Sequence, residues 1–387
     1  MNNTAEITQI EDAEGYIASI CFKTGPPLTV GVEIEQLVHV ADHPHRPLGA
    51  ASLTAVLCGH EPQDGGRIVL GPGGQVTLAA WPQAGLERLH ETVHAELDRL
   101  DLLVTRGGLR LAGLGIDPHR APRRVVDSRR QRAMAGALAR RGGDGRVLMY
   151  STAGLRPLLP AGPPEDLEAR WAAVHELGPP LLALFANSPV HAGRDTGWAS
   201  TRMRAWYALD PSRAGAPRTA PDPAAAWARH ALHAPLLYAR GPAANWSVPD
   251  GVTFADWIGG ALPRRPTFAD LDEHLGTLYP PVRPGGHLEV RYLDAQPGGD
   301  WFAPVAVLAA LLGDAATIDA ARELAAPAAG RWVEAARYGL TDAVIAAAAP
   351  PLVELALRTL ERDGLPGPLL EEVSGAVESR FRRAHML

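Results

Sequence analysis

The chain has 387 residues, 46% hydrophobic and 21% charged, the composition of a soluble globular protein with room for one large domain or two ordinary ones. Its formal charge of −6, with arginines spread along the chain, argues against general nucleic-acid binding. Lys23 is the only lysine and Cys21 and Cys58 the only cysteines, so there is no Gly-x-x-x-x-Gly-Lys-Ser/Thr phosphate loop and no cysteine zinc spacing, and two isolated thiols suit a reducing compartment.

The first residues, Met1 to Ile7, are polar and acidic rather than a signal peptide, which predicts a cytoplasmic protein. Leu28 to Val40 predicts a strand in which Val30, Val32 and Ile34 alternate with Gly31, Glu33 and Glu35. Arg67 to Ala80 reads as two strands joined by Gly71-Pro72-Gly73-Gly74. Gln83 to Arg106 repeats leucine and valine at three and four, as a helix does, and Leu109 to Ile116 suits a buried strand. Asp127 to Arg140 reads as helix, Val147 to Thr152 as strand, and Glu165 to Leu177 as a helix ended by Gly178-Pro179-Pro180. Arg213 to Pro223 is a loop rich in proline and alanine, and Asp222 to His233 a helix. His287 to Leu293 alternates as one strand with Glu289, Arg291 and Leu293 on one face. From Trp301 to about Arg380 the chain is helical, and its apolar runs are too short to cross a bilayer. The scattered strands do not form repeated βαβ units, so the expectation is α+β: a mostly antiparallel sheet, polar on one face, backed by helices.

The densest collection of functional groups runs from Phe185 to Trp206. It holds Asn187, Ser188, His191, Arg194, Asp195, Thr196, Ser200, Thr201, Arg202 and Arg204. Arginine offers a rigid fork of donors to carboxylate or phosphate, so the segment suits a concave site for an anion. It equally suits a surface turn followed by an amphipathic helix with ion-paired arginines. Glu33 and Glu35, about 7 Å apart on one strand face, suit a Mg²⁺ ligand pair or a solvated strand edge. The glycine turn before Gln75 permits close approach of a ligand or makes an ordinary hairpin. Glu289 and Arg291 read as a structural ion pair or as holders of a cation and an anion. Arg120, Arg123, Arg124, Arg129, Arg130 and Arg132 form a solvated or phosphate-facing patch, and the paired histidines lack a third metal ligand.

Taken together, Gly31-Val-Glu33-Ile-Glu35, Pro72-Gly73-Gly74-Gln75, Leu114-Gly-Ile-Asp117-Pro118-His-Arg120, the segment from Ala186 to Arg213, Phe254-Ala-Asp-Trp257 and His287-Leu-Glu-Val-Arg-Tyr-Leu-Asp294 resemble the plant and bacterial type of glutamate–cysteine ligase, nearest the actinobacterial branch of ergothioneine synthesis. The resemblance covers about residues 28–345. It implies a single domain over 1–387 with a glutamine-synthetase-like fold: a curved antiparallel sheet forming a funnel over about 28–300, and C-terminal helices over about 301–387. It implies ATP and Mg²⁺ as cofactors, glutamate and an amine such as cysteine as substrates, and an acyl phosphate intermediate. No nucleic acid or membrane partner is implied, and the protein is expected to be a monomer or homodimer. By the matching motifs, Glu33, Glu35 and Glu289 would face Mg²⁺, and Arg202, Arg204 and Arg291 would neutralise phosphate or carboxylate. Gln75, Asn187, Ser188 and Thr201 would complete the binding surface. Five positions depart from the family pattern: Gly71 and Thr77 replace glutamates, and Arg156, Leu158 and Pro160 replace Gln, Asn and Asp. Two expectations follow: a ligase with a reworked metal shell, or a diverged member that has lost ATP-driven ligation.

Overall fold

The computed structural model describes residues 4–25, 28–140, 142–215, 220–241 and 246–385. Ten strands carry the architecture: β1 Gly31–Val40, β2 Arg67–Leu70, β3 Val76–Ala79, β4 Leu109–Ala112, β5 Gly154–Leu159, β6 Val190–His191, β7 Arg194–Asp195, β8 Val282–Pro284, β9 Leu288–Val290 and β10 Leu293–Asp294. Eight of them form one antiparallel sheet in the order β2-β3-β1-β5-β9-β8, with β4 added on β1 and β10 on β5. β6 and β7 make a separate hairpin. The α+β expectation holds.

β1 is the spine of the sheet, and its alternation decides which residues face which way. Directly opposed residues share a face. Glu33 stands opposite Arg156 on one side and Ala79 on the other, and Glu35 opposite Thr77. Leu158 stands opposite both Gly31 and Glu289, and Glu289 opposite Arg283. One face therefore carries Glu33, Glu35, Arg156, Glu289 and Arg283. The other carries Val32, Ile34, Leu78, Leu155, Leu159, Leu288 and Val290, all buried in the main core with Leu89, Val93, Phe302 and Val305 from the helices.

Four predicted elements differ. Val147 to Thr152, read as a strand, lies in the helix Asp144–Ser151, and the strand begins beyond it at Gly154. A short run buried on all sides has no period to separate helix from strand. Leu109 to Ile116 is strand only as far as Ala112, and that strand is only partly buried. Gly178-Pro179-Pro180 opens the helix Gly178–Leu184 instead of leading into a loop; proline suits the first helical turn because its missing N–H would have had no partner there. His287 to Leu293 is two strands. β9 pairs Glu289 with Leu158, whereas β10 pairs Leu293 with Leu155, so the register slips by one residue at Arg291 and Tyr292. Pro157 lies opposite the slip and has no N–H to give the ladder. Part of the predicted loop Arg213 to Pro223, residues 216–219, lies outside the described residues. The C-terminal part is helical as expected, from Phe302–Leu311 to Gly367–His385.

Candidate functional site

A cavity of about 450 Å³ opens over the charged face of the sheet. Its floor is Glu33, Leu158, Arg283 and Glu289, with His287 at the rim. Ile20 and Cys21 from the helix Ile10–Cys21, Trp227 from Pro223–His233, and Asp272 and Leu275 from Phe268–Leu275 cover it. Exposed Lys23 flanks the rim: a side chain on Gly286 would meet its Cδ at 3.5 Å. Burial, and next the Lys23 ammonium, hold the His287 imidazole below its ordinary range.

The carboxylates of this face meet guanidinium groups. Arg156 Nη1 donates to Glu33 Oε2 at 2.9 Å and Nη2 to Glu35 Oε2 at 3.3 Å. The Gly154 N–H also donates to Glu35 Oε2, at 3.0 Å. Arg283 Nε donates to Glu289 Oε2 at 2.8 Å, and Arg291 Nε lies 3.2 Å from Glu289 Oε1. Burial pushes the Glu289 carboxyl up, but Arg283, Arg291 and Arg156 outweigh it and hold it down to about 2. Burial opposes the charge of Arg156; Glu35, Glu289 and Glu33 overcome this and raise its pKa. The structure thus brings Glu33 and Glu35 to one face, as the alternation predicts, and Glu289 to the same face, as the resemblance implies. A Mg²⁺ ion does not fit among them as a shell of bare carboxylates, because one oxygen of each, Oε2, already receives guanidinium or amide hydrogens and the Arg156 charge reaches both Glu33 and Glu35. Among the described residues, no group of three or more His, Cys, Asp or Glu is arranged to hold a metal.

The segment from Phe185 to Trp206 does receive an anion, and the anion is the chain's own Asp294. Its Oδ2 accepts from the Ser188 hydroxyl at 2.6 Å and the Asn187 N–H at 2.8 Å, and its Oδ1 from the Ser200 hydroxyl at 2.9 Å. Arg202 Nη1 lies 3.8 Å away. The Arg202 guanidinium is 1% exposed, donates to the Arg291 carbonyl at 2.8 Å and packs across Gly154, where a Cβ would be 2.6 Å from Nη2. Burial lowers its pKa, partly offset by Asp294. The Arg291 guanidinium is buried against the Trp206 and Tyr279 rings and donates to the Leu278 carbonyl at 2.9 Å; burial first, with Arg283 and Arg156 adding to it and Glu289 opposing, brings it down to about 9. Arg204 stands apart, half-exposed and 3.4 Å from Asp144. Thr201 pairs with the Thr196 hydroxyl, and the Asn187 amide donates to the Gly113 and Ala295 carbonyls. Gln75 accepts from the Gly73 N–H and donates to the Met149 and Thr152 carbonyls, so its amide ties the β2–β3 turn to the end of the helix Asp144–Ser151.

A second cavity, also about 450 Å³, lies at the far end of β1, lined by His45, Gly73, His119, Arg120, Arg123 and Tyr150 among others. Its wall is a buried network that the sequence motifs marked only through Asp117-Pro118-His-Arg120. Asp117 faces His39 Nε2 at 3.2 Å and accepts from Arg120 Nε at 2.7 Å and from the His119 N–H at 2.9 Å. Burial pushes this carboxyl up, but His39 and Arg120 prevail and hold it far below the carboxylate range. Arg123 is the exposed cation at this cavity. Of the rest of the basic patch, Arg124 and Arg132 pair with Asp127, and Arg130 with Glu273.

Known proteins share this sequence and fold. The profile of glutamate–cysteine ligase family 2 (GCS2) matches residues 29–379. The chain is 40% identical over 363 residues to glutamate–cysteine ligase EgtA of Mycolicibacterium smegmatis, covering 91% of this chain and 85% of that protein. It is 28% identical over 392 residues to the chloroplastic glutamate–cysteine ligase of Arabidopsis thaliana, covering 94% of this chain and 72% of the relative. The crystal structure of the glutamate–cysteine ligase of Francisella tularensis, in complex with AMP, superposes with a TM-score of 0.56 at 15% identity, covering 94% of this chain and 82% of that one. On a family match that runs from just before β1 almost to the end of the last helix, the chain belongs to glutamate–cysteine ligase family 2, a family of ligase enzymes.

Proposed function

We propose that this protein is an ATP-dependent ligase that joins the γ-carboxylate of glutamate to an amine, with cysteine, the acceptor in its relatives' names, as the first candidate. The observation that carries the reading is the half-buried face of paired carboxylates and guanidinium groups opening into a cavity, in a chain 40% identical to a glutamate–cysteine ligase. In such a reaction the γ-phosphoryl group of ATP passes to a γ-carboxylate oxygen, giving ADP and an acyl phosphate. The amine attacks the acyl carbon and loses a proton, and orthophosphate leaves. ATP, the glutamate carboxylates and the acyl phosphate are all anionic, so fixed positive charge and alignment do most of the work.

Arg283 lines the first cavity, and Arg120 and Arg123 line the second, and we assign these guanidinium groups to carboxylate and phosphate. Arg202 and Arg291 act from beneath, holding β9, β10 and the helix Thr201–Tyr207 in place. Gln75, Asn187, Ser188 and Thr201 shape the surrounding loops in the same way. Any Mg²⁺ enters with the nucleotide, whose phosphate oxygens are its natural ligands. The AMP in the Francisella relative supports an adenine nucleotide on this fold. A reaction fed by ATP suits the cytoplasmic location expected from the sequence.

A second reading, a member that binds its substrates but no longer ligates, is favoured by Arg156 seated between Glu33 and Glu35 and by apolar Leu158 on the cavity floor. One assay separates the two. Purified protein with ATP, Mg²⁺, glutamate and cysteine is expected to release ADP and form γ-glutamylcysteine in equal amounts. Glutamate binding without ADP release establishes the second reading.

A further inference from the structure

Three carboxylates converge on the cavity side of the sheet, and a guanidinium lies among them. Arg156 is opposite Glu33 in register, reaches Glu33 and Glu35 at 2.9 and 3.3 Å, and belongs to the same strand face as Leu158, which pairs with Glu289. In each carboxylate one oxygen, Oε2, accepts a hydrogen bond. Glu33 Oε1 faces Arg67 at 3.9 Å, Glu35 Oε2 receives the Gly154 N–H, and Glu289 lies between Arg283 and Arg291. Magnesium requires free oxygen lone pairs in near-octahedral array, at about 2.0–2.1 Å, and gives up its water reluctantly. Here one oxygen of each carboxylate already accepts from N–H groups, and a positive charge stands between Glu33 and Glu35.

We infer that Arg156 is the resident cation of this cluster: its guanidinium takes the place a divalent ion would hold between Glu33 and Glu35, and the cluster binds no divalent ion of its own while Arg156 is present. The charges balance without metal, with Glu33, Glu35 and Glu289 set against Arg156, Arg283 and Arg291. Planar and multidentate, a guanidinium can bridge two carboxylates on neighbouring strand positions, which a lysine ammonium does less well. Arg156 is anchored in mid-strand between Leu155 and Pro157, each paired across to β1, so the charge cannot wander from the cluster.

The test uses Mn²⁺ as the probe, the full chain, no nucleotide, and electron paramagnetic resonance to count free ion. The parent is expected to leave submillimolar Mn²⁺ free, with the same titration for parent and E33Q/E35Q. Arg156→Gln, which keeps much of the length without the charge, is expected to gain one equivalent of Mn²⁺ with affinity at least about 100-fold tighter than the parent, because a unit charge in contact with a divalent ion weighs heavily even at an effective dielectric of about 20. Adding Glu33→Gln to that variant is expected to remove the new site. The inference is overturned if the parent takes up one equivalent that E33Q/E35Q loses, or if R156Q, with the parent's circular dichroism and a cooperative melt, gains nothing. Should R156Q not fold, the parent against E33Q/E35Q decides alone. None of these readouts uses turnover, so their failure is distinct from failure of the ligase reading.

Discussion

Asp294 shows what residue types alone do and do not reveal. The arginine, serine and asparagine of the segment from Phe185 to Trp206 signal affinity for an anion, and an anion is bound there. Its identity was illegible, because the carboxylate comes from about a hundred residues downstream and ends fully buried. Asp294→Ala leaves Arg202 buried without its charge partner and strands Ser188 and Ser200, so unfolding in urea should show a loss of about 3–5 kcal/mol. A loss below about 1 kcal/mol, the size of an exposed pair, would show that the cluster is not a structural unit. His274 makes a different prediction. Burial, and then the charge of Arg213, hold its imidazole down to about 3, well below the ordinary 6.5. As pH falls below 6.5 the unfolded chain takes up a proton that the folded chain refuses. The folded state is therefore favoured above that pH and loses ground toward pH 3, by up to about 1.4 kcal/mol per pH unit. His274→Gln can still donate to the Ala231 carbonyl that His274 Nε2 reaches at 2.8 Å. Its stability should fall less steeply than the parent's between pH 6 and 4, by about that slope; equal slopes would mean that the buried ring is not the titrating group.

At the scale of elements, the sequence is most legible where one periodicity dominates. β1 alternates cleanly, and its register puts Glu33 and Glu35 on one face with Val32 and Ile34 on the other, as the pattern requires. The long helix Leu86–Arg106 is as clear from its repeat of leucine and valine. Legibility fails where a helix is short and its last four residues are all buried, as at Asp144–Ser151, and where a strand slips by one residue, as between β9 and β10. A one-residue slip leaves no trace in residue type, since it depends on the partner strand and its Pro157. The glycine turn between β2 and β3 was legible as a turn, but the closeness it allows concerns the protein itself. A Cβ on Gly73 would sit 2.1 Å from the Tyr150 carbonyl oxygen, against backbone that cannot swing aside. Gly73→Ala should force the turn away from the helix Asp144–Ser151, cost about 1–3 kcal/mol or more, and loosen the three hydrogen bonds of Gln75. Unchanged stability, measured by chemical denaturation, would show that the turn has slack.

For the whole molecule, the expectation of a single domain over 1–387 becomes a proposal with a clear test. Phe302, Val305, Val307, Leu308 and Leu311 of the helix Phe302–Leu311 are fully buried, in one cluster with the apolar face of the sheet. The helix Ala343–Arg362 is long and apolar enough to cross a membrane, yet Ile345, Leu352, Ala356 and Leu360 are buried in that same core. A chain stopped at Asp300 would expose all of this surface, so it should show no cooperative melt, whereas the full chain should melt in one transition. A folded, cooperative 1–300 fragment would divide the molecule into two domains. The arginine-rich composition has a practical consequence of its own. Apart from the α-amino group, Lys23 is the only primary amine in the chain, and it stands exposed beside His287 at the cavity rim. Once the α-amino group has been blocked near neutral pH, where its lower pKa makes it the more reactive amine, an amine-reactive fluorophore applied at high pH acts as a single-site label, without any engineered cysteine. Its emission would report directly on what enters the cavity and on whether the rim closes over it.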